Sequence, residues 1–430
     1  MIFKAIVQKM RNRGKVMFER KNLKRDCLSI ASSAIKQSLP NAKLKEHLNR
    51  GHFGGRVTIF AIGKAAWEMA NAAYEVKEKD VVGGIVITKY GHSKGEIGNL
   101  KIFEAGHPIA DEKSVLATEK AIKIASGLKS GDNVLFLISG GGSSVFELQE
   151  DGFFIDEISK LSQKLIKSGV DIGGINSIRK KLSRVKGGRF AEYLKKAKTE
   201  AFVLSDVIGD RLDIIASAPL FVGKATSSED DLDLLRKLKI DVSKKVENTI
   251  KNYIQPQDLS IPHTVIGNVS TLVKAAKKEA EKLGYKTEII ADDLKCDVAE
   301  VAQLFCSKTR DGEKPLAIIA GGEPSIVVKG EGKGGRAQHL ALLMARKMHK
   351  IKNSAFIAIG SDGTDGPTDA AGGIVCTTSY QRMRDCGVDV ERQIADNNSY
   401  FALSKCSGLV ITGPTGTNVN DLMVMLLGKD

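Results

Sequence analysis

Short apolar runs alternate with amphipathic stretches along almost the whole chain. Runs rich in Val and Ile predict strands over residues 57–62, 84–88, 134–139, 201–205, 263–267, 286–290, 316–320, 325–328, 356–359 and 409–412. Most end in glycine or a polar residue, and several are apolar at every position, the pattern of strands covered on both faces of a parallel sheet. Between them, stretches such as 270–283 and 337–349 repeat apolar residues at helical spacing. Strand–helix alternation of this kind predicts an α/β fold. The first forty residues carry no strand signal and read as helical. A charged stretch, 227–251, is the expected junction between two domains.

Length and composition support that organisation. A chain of 430 residues is too long for one ordinary core. Its apolar fraction of 42% is enough to build two. The formal net charge is +14, with one dense basic patch formed by Lys4, Lys9, Arg11, Arg13, Lys15, Arg20, Lys21, Lys24 and Arg25. No zinc-knuckle or RNA-binding pattern accompanies it, so an enzyme with anionic ligands is expected rather than a nucleic-acid binder. The six cysteines form no CxxC pair, which leaves no metal spacing and no disulfide framework. No apolar run reaches the roughly 18 residues of a membrane span, and the basic N-terminus has no apolar core of a secretory signal. A cytoplasmic location is expected.

Open α/β sheets bind ligands beyond the carboxyl ends of their strands, so the residues that follow each strand carry the chemistry. After 134–138 comes Ser139-Gly140-Gly141-Gly142-Ser143-Ser144. Three glycines let backbone approach a ligand closely, and their N–H groups can form an anion nest. An ordinary tight turn would use the same residues. After 58–62 comes Gly63-Lys64, and Arg336 follows the run Gly330-x-Gly332-x-x-Gly335. Both cations are expected at helix starts, where a positive charge is unfavourable unless an anion lies beside it. Asp206 ends an apolar strand, a position that can hold Mg²⁺ or simply cap a turn. Asp362, Asp365 and Asp369 crowd one loop, and their mutual repulsion would be relieved by a metal ion or a hydroxylated substrate. Thr415 and Asn418 lie on a donor-rich loop after 409–411. The chain contains no P-loop, zincin or hydrolase-elbow motif.

In combination these loops resemble one family, the glycerate 2-kinases of the MOFRL type. The resemblance rests on Ala61-Ile62-Gly63-Lys64-Ala65, Ala105-Gly106-His107-Pro108, the 139–143 loop, Ile175-Asn176-Ser177-Ile178-Arg179-Lys180, Lys186-Gly187-Gly188-Arg189, residues 204–210, Gly334-Gly335-Arg336, 363–372 and 412–420, in this order and at these spacings. It implies two α/β domains, the first a Rossmann-like three-layer sandwich, with the active site in the cleft between them. The implied division is 1–240 for the kinase domain with its leading helix and 241–430 for the MOFRL-type domain. The implied reaction is transfer of the ATP γ-phosphoryl group to D-glycerate, giving 2-phosphoglycerate. The resemblance makes Lys64 and Arg336 the catalytic residues. On that reading Ser139, Gly140, Gly141, Gly142 and Ser143 bind phosphate, and Asp206 holds Mg²⁺ or another divalent cation. Asp362 or Asp365 then orients the glycerate hydroxyls or assists with the metal, with Thr415 and Asn418 as further ligand contacts. The expected partners are D-glycerate and ATP, with no nucleic acid or membrane, and a homodimer is compatible with the chain.

The sequence departs from the family pattern at Ala337 and His339, where Asn and Glu are usual, at Lys181, where His is frequent, and at Ala218 and Leu220, where Gly and Thr are usual. The alternative activity is an NAD(P)H-dependent hydroxypyruvate reductase, which the run from Gly330 to Gly335 superficially suits. Lys350 and Lys352 stand where a ribose-binding acid would be needed. A non-catalytic anion-binding protein is the third reading.

Overall fold

The computed structural model describes residues 22–50, 55–170, 172–224, 226–309 and 313–429. Of the basic patch, the part from Lys4 to Lys21 lies outside the described residues, while Lys24 and Arg25 belong to the helix Leu23–Gln37. The chain divides into two compact units. One is Pro40–Ile266; the other joins the residues up to Leu39 to Gly267–Asp430.

The Pro40–Ile266 unit is built on a sheet of β1 (Val57–Ile62), β2 (Val81–Lys89), β3 (Leu100–Ala105), β4 (Asn133–Ser139), β5 (Lys198–Leu204) and β6 (His263–Gly267), in the order β3-β2-β1-β4-β5-β6. Strands β1 to β5 pair in parallel. Every residue of β1 is buried because both faces of the sheet are covered. Phe60, Ile62, Phe136, Ile138 and Val203 share one core with Ala117, Ala121 and Ala125 of the helix Glu112–Ser126. The alternating positions Ile59, Ala61, Leu135 and Leu137 are equally buried, as the two-residue period of a strand requires for the opposite face. Phe190 anchors the first core, its ring 5.8 Å from Phe60, 5.5 Å from Phe136 and 5.0 Å from Phe146. β3 escapes the apolar pattern because Lys101 and Glu104 interrupt it, and it is the edge strand of the sheet.

A second, helical core lies in the same unit. Ile158, Leu161, Leu165, Ile175, Ile178, Leu232, Leu235, Val246 and Ile250 join the helices Ile155–Lys167, Ile172–Lys181, Ser228–Lys237 and Lys244–Lys251. The charged stretch expected as a domain junction is therefore two amphipathic helices of this unit, capped by Ser227 and Ser243. Lys181 belongs to this core. It pairs with Asp231 at 2.7 Å, both side chains being 4% exposed. Its departure from the family pattern thus concerns helix packing.

The other unit carries β7 (Lys286–Leu294), β8 (Leu316–Gly322), β9 (Ser354–Gly360), β10 (Gly372–Cys376), β11 (Leu409–Val410) and β12 (Asp421–Leu427), ordered β11-β10-β9-β12-β8-β7. Only β7 and β8 pair in parallel; the remaining pairs are antiparallel. The expected parallel sheet thus holds for β1 to β5 and gives way here to a mixed one. β12 lies inside the sheet although no strand was expected there. Its run Leu422 to Leu427 is apolar throughout, which periodicity alone does not distinguish from a buried helix. Residues 325–328, expected as a strand, make one bridge, from Ser325 to Asp297, and leave Val327 and Val328 exposed. The helix Leu23–Gln37 packs on β9, β12 and the helix Val269–Lys282. Tyr285 donates to Asp26 at 2.7 Å and Ser33 to Glu279 at 3.0 Å. This helix therefore belongs with the C-terminal unit, and the division falls at Ile266 and Gly267 rather than at 240 and 241. Its apolar stripe, from Leu23 through Ile35, finds its cover there.

Replacing Phe190 by Ala removes the ring that packs against Phe60, Phe136, Phe146 and Tyr193 and should cost about 3–5 kcal/mol. The same change at Phe154, 77% exposed, should stay within about 0.5 kcal/mol. Denaturant midpoints of the two variants measure the contrast.

Candidate active site

The strand order of the Pro40–Ile266 unit reverses between β1 and β4, and such a switch point opens a crevice at the carboxyl ends of the strands. Register decides what meets there. Ile62 lies opposite Ile138, and Ser139 opposite Leu204. Gly63-Lys64 is thereby set beside Ser139-Gly140, and Ser205-Asp206 follows the neighbouring strand end at Leu204.

The first two loops are stitched together. Lys64 N donates to Gly140 O at 2.9 Å, Ala65 N to Ser139 Oγ at 3.1 Å, and Ser139 Oγ to Ile62 O at 3.1 Å. Gly63 has φ +107°, and a Cβ there would lie 2.3 Å from Ser139 O, so only glycine fits. Ser139, expected to bind phosphate, is fully buried and its hydroxyl holds the β1 loop. Lys64 stands ahead of the helix Ala66–Lys77 rather than in its first turn.

Gly141 adopts φ +82°, and a Cβ there would lie 3.0 Å from Lys64 Cγ and 3.1 Å from His107 Cδ2. The lysine stem and the imidazole thus flank a glycine that leaves a shallow cradle. Gly142 and Ser143 open the short helix Gly142–Val145, whose first N–H groups have no acceptor within the helix. Ser143 Oγ lies 2.7 Å from Ser217 Oγ, which in turn donates to Asn176 Oδ1 at 3.3 Å. Arg179 Nη2 donates to Ser143 O at 3.4 Å. His107, Asn176 and Arg179 belong to the motif stretches and Ser217 lies between two of them, yet none was expected as a site residue. They come from separate segments, and only the fold brings them to the glycine loop.

Ala216, Ser217 and Ala218 carry φ of 51°, 58° and 56° in succession. Each non-glycine residue in this region costs about 1–3 kcal/mol, so surrounding contacts must hold the turn. Gly187 N donates to Ser217 O at 3.0 Å and Gly188 N to Ala218 O at 2.7 Å. The turn presses on the glycine loop, since a Cβ on Gly142 would lie 2.7 Å from Ala216 Cβ. Nearby, Lys186 and Glu147 form a buried ion pair with Ser183 donating to Glu147 at 2.6 Å. Burial lowers the Lys186 pKa to about 8, against the pull of Glu147.

In the C-terminal unit, antiparallel pairing brings the start of β12 beside the ends of β8 and β9. Asp421 lies opposite both Gly322 and Gly360. Glu323 and Asp362 follow those strands. Arg336, the first residue of the helix Arg336–Met348, donates to Asp421 through Nε at 2.7 Å and Nη2 at 3.1 Å, and to Glu323 through Nη1 at 2.6 Å. Burial acts against its charge, but Asp421 and Glu323 outweigh it and raise its pKa above the ordinary arginine value. The anion expected beside this helix-start cation is thus supplied by the chain itself. Asp365 accepts from Ala337 N at 3.2 Å, Gln338 N at 2.8 Å and Gln338 Nε2 at 3.0 Å. Both its oxygens cap the helix, a structural duty that the sequence reading did not foresee. Asp362 receives Thr364 N at 2.9 Å, Thr415 Oγ1 donates to Ser361 O at 2.5 Å, and Asn418 is buried alongside. Ala337 and His339 are buried on the same helix, and the His339 Nδ1 has no hydrogen-bond partner among the described residues.

The run from Gly330 to Gly335 packs on a neighbouring loop. Lys329 N and Gly330 N donate to Asn397 Oδ1, Glu331 N to Asp396 Oδ1, Gly332 N to Asp396 O and Lys333 N to Asn398 Oδ1, all within 2.7–3.2 Å. The backbone donors from Lys329 to Lys333 are thus engaged by the chain itself. No group of three or more His, Cys, Asp or Glu that could hold a metal occurs among the described residues. No described helix is long and apolar enough to cross a membrane.

A doubly wound sheet with a glycine loop at its switch point, in a chain that also carries a mixed-sheet α/β unit, defines a class of two-unit α/β protein. Family models place the chain within it. A domain of unknown function, DUF4147, matches residues 26–255, and the MOFRL family matches residues 316–421. A D-glycerate 2-kinase of Thermotoga maritima is 44% identical over 96% of this chain and 100% of its own length. A protein of Agrobacterium vitis named for hydroxypyruvate reduction is 34% identical over 87% and 88% of the two chains. The crystal structure of the Thermotoga maritima glycerate kinase superposes with a TM-score of 0.85, covering 95% of this chain and all of that one. The chain belongs to the glycerate 2-kinase family of the MOFRL type.

Two measurements test this geometry. Burial and the Asp421 charge push the Asp365 carboxyl up from 3.8 to about 6, against the hydrogen bonds from Gln338 and Ala337. The folded state then holds a proton that the unfolded state has lost between those pH values, so this group's stabilising contribution is lost as pH rises through about 6. The stability difference between wild type and Asp365→Asn should fall across that window, and a flat difference in thermal unfolding would refute it. Ala218→Gly relieves a left-handed alanine and should leave stability unchanged or raise it by up to about 1 kcal/mol. A lowered melting temperature would contradict that reading of the turn.

Proposed function

We propose that the chain is an ATP-dependent glycerate kinase that transfers the γ-phosphoryl group to the 2-hydroxyl of D-glycerate. The observation that carries this is Lys64 beside the glycine-rich loop at the sheet's switch point, in a chain 44% identical over nearly full length to a D-glycerate 2-kinase. Phosphoryl transfer asks the protein for positioning and charge neutralisation more than covalent chemistry. The hydroxyl oxygen bonds to phosphorus, the bond to the bridging oxygen breaks, ADP leaves and the hydroxyl proton is released.

The residues of the glycine loop suit that task. Gly140, Gly141, Gly142 and Ser143 offer backbone at close range to phosphate oxygens, and Lys64 supplies a positive charge beside them. Asp206, half-buried beyond β5, offers a single carboxylate. That suits Mg²⁺, which keeps several waters and is bound by one or two carboxylates plus substrate phosphates. When bound, the ion would neutralise phosphate charge. Arg336 is held in one orientation by Asp421 and Glu323, leaving guanidinium donors for a carboxylate or phosphoryl group. Asp362, Thr415 and Asn418 are suited to the substrate hydroxyls, while the capping bonds of Asp365 favour a supporting role.

The reductase reading loses its motif, because the N–H groups between Lys329 and Lys333 donate to Asp396, Asn397 and Asn398. Purified protein with D-glycerate, ATP and Mg²⁺ should give 2-phosphoglycerate, identified by phosphorus NMR. Oxidation of NADH by hydroxypyruvate without phosphoglycerate formation would favour the reductase instead.

Lys64→Ala and Arg336→Ala should each lower kcat about a hundredfold or more. They should differ in stability. Arg336→Ala strands the buried Asp421 carboxylate and should cost about 3–5 kcal/mol, whereas Lys64→Ala should change the melting temperature little. Near-normal turnover in both variants would remove these residues from the mechanism.

A further inference from the structure

The helix Ile172–Lys181 brings two polar side chains to the glycine loop. Asn176 and Arg179 are three positions apart and share one helical face. Asn176 is engaged through Ser217. Arg179 is not comparably satisfied. Its Nη2 makes the 3.4 Å bond to Ser143 O, while its Nε is buried with no hydrogen-bond partner among the described residues. No carboxylate lies in ion-pair contact with it among those residues. The nearby Glu147 carboxylate is engaged by Lys186 and Ser183.

A guanidinium has five N–H donors, and leaving a buried one such as the Arg179 Nε–H unmade is costly. The chain satisfies other arginines. Arg336 donates through three nitrogens to two carboxylates, and Arg189 Nη1 reaches both Glu150 and the Ser183 carbonyl. Arg179 instead stands at the loop whose glycines leave a cradle beside Lys64 and His107. Its position is held from two sides. The Ser143–Ser217–Asn176 chain ties its helix to the loop, and the left-handed turn at 216–218 supplies Ser217.

We infer that Arg179 is a ligand-binding residue whose guanidinium completes an oxyanion site at the glycine loop, taking a carboxylate or phosphoryl group. The choice of ligands rests on the kinase reading: the anion is either the D-glycerate carboxylate or an ATP phosphate. A planar fork suits either.

Calorimetric titration of D-glycerate and of ATP into wild type, Arg179→Gln and Arg179→Lys separates the sources. Arg179→Gln should weaken one of the two ligands by about ten- to a hundredfold, the range of a charge-assisted pair, and spare the other. Loss on D-glycerate assigns the carboxylate; loss on ATP assigns a phosphate. Arg179→Lys should fall between, because a point charge replaces the fork. Thermal unfolding of each variant runs alongside. Unchanged affinity for both ligands would overturn the inference. So would wild type that binds neither, or variants that both fail to fold, which would make Arg179 purely structural. Turnover is read separately: wild type that binds without transferring phosphate sinks the kinase reading and leaves the Arg179 result standing.

Discussion

The close approach of the β1 and β4 loops is the constraint on which the glycine-loop site depends. Gly63 sits where a single added carbon would strike Ser139. Ser139, in turn, places its hydroxyl between Ile62 O and Ala65 N. These bonds set where Lys64 leaves the sheet and where the glycines begin. Parallel pairing supplies the frame, since it puts the carboxyl ends of β1, β4 and β5 in one row. The glycine loop does not stand alone: the Lys64 stem and the His107 imidazole flank Gly141.

The C-terminal unit reaches a charged site by another route. Its sheet is mostly antiparallel, so the start of β12 lies with the ends of β8 and β9. That geometry gathers Glu323, Asp362 and Asp421, and Arg336 offsets their repulsion. Asp365 is drawn to the same helix start, where peptide N–H groups stabilise a carboxylate. The loop of three aspartates thus has part of its repulsion answered by the protein itself, without a metal.

The family departures divide by location. Lys181 sits in the helical core with Asp231, and Ala337 and His339 are buried on the Arg336 helix. Ala218 lies in the turn whose Ala216 presses on the glycine loop, in a backbone conformation that glycine would adopt without strain. The rest of that turn is as unusual, since Ala216 and Ser217 share its left-handed geometry. Strain of this kind persists where neighbouring contacts over-determine it.

Much was legible in the chain alone. Apolar runs marked nine of the twelve strands among the described residues, most plainly β1, β4, β8 and β9, because strands covered on both faces must be apolar at nearly every position. The glycine loop and Lys64 were legible because ligands of α/β sheets gather after strands. What periodicity could not supply was partnership across distance. β12 needed its neighbours to be a strand rather than a helix, and the leading helix needed β9 and β12 to cover its apolar stripe. The helix start that Asp365 caps came to it only with the fold, and so did Asp396 and Asn397, which met the N–H groups of a Gly330 loop that superficially suited a dinucleotide. His107, Asn176, Arg179 and Ser217 were visible as residues but not as a set, because hydrogen bonds between segments are decided only when the chain packs. Sequence determined which chemistry was available; tertiary structure decided which groups the chain itself satisfies, because bonds between distant segments form only on packing.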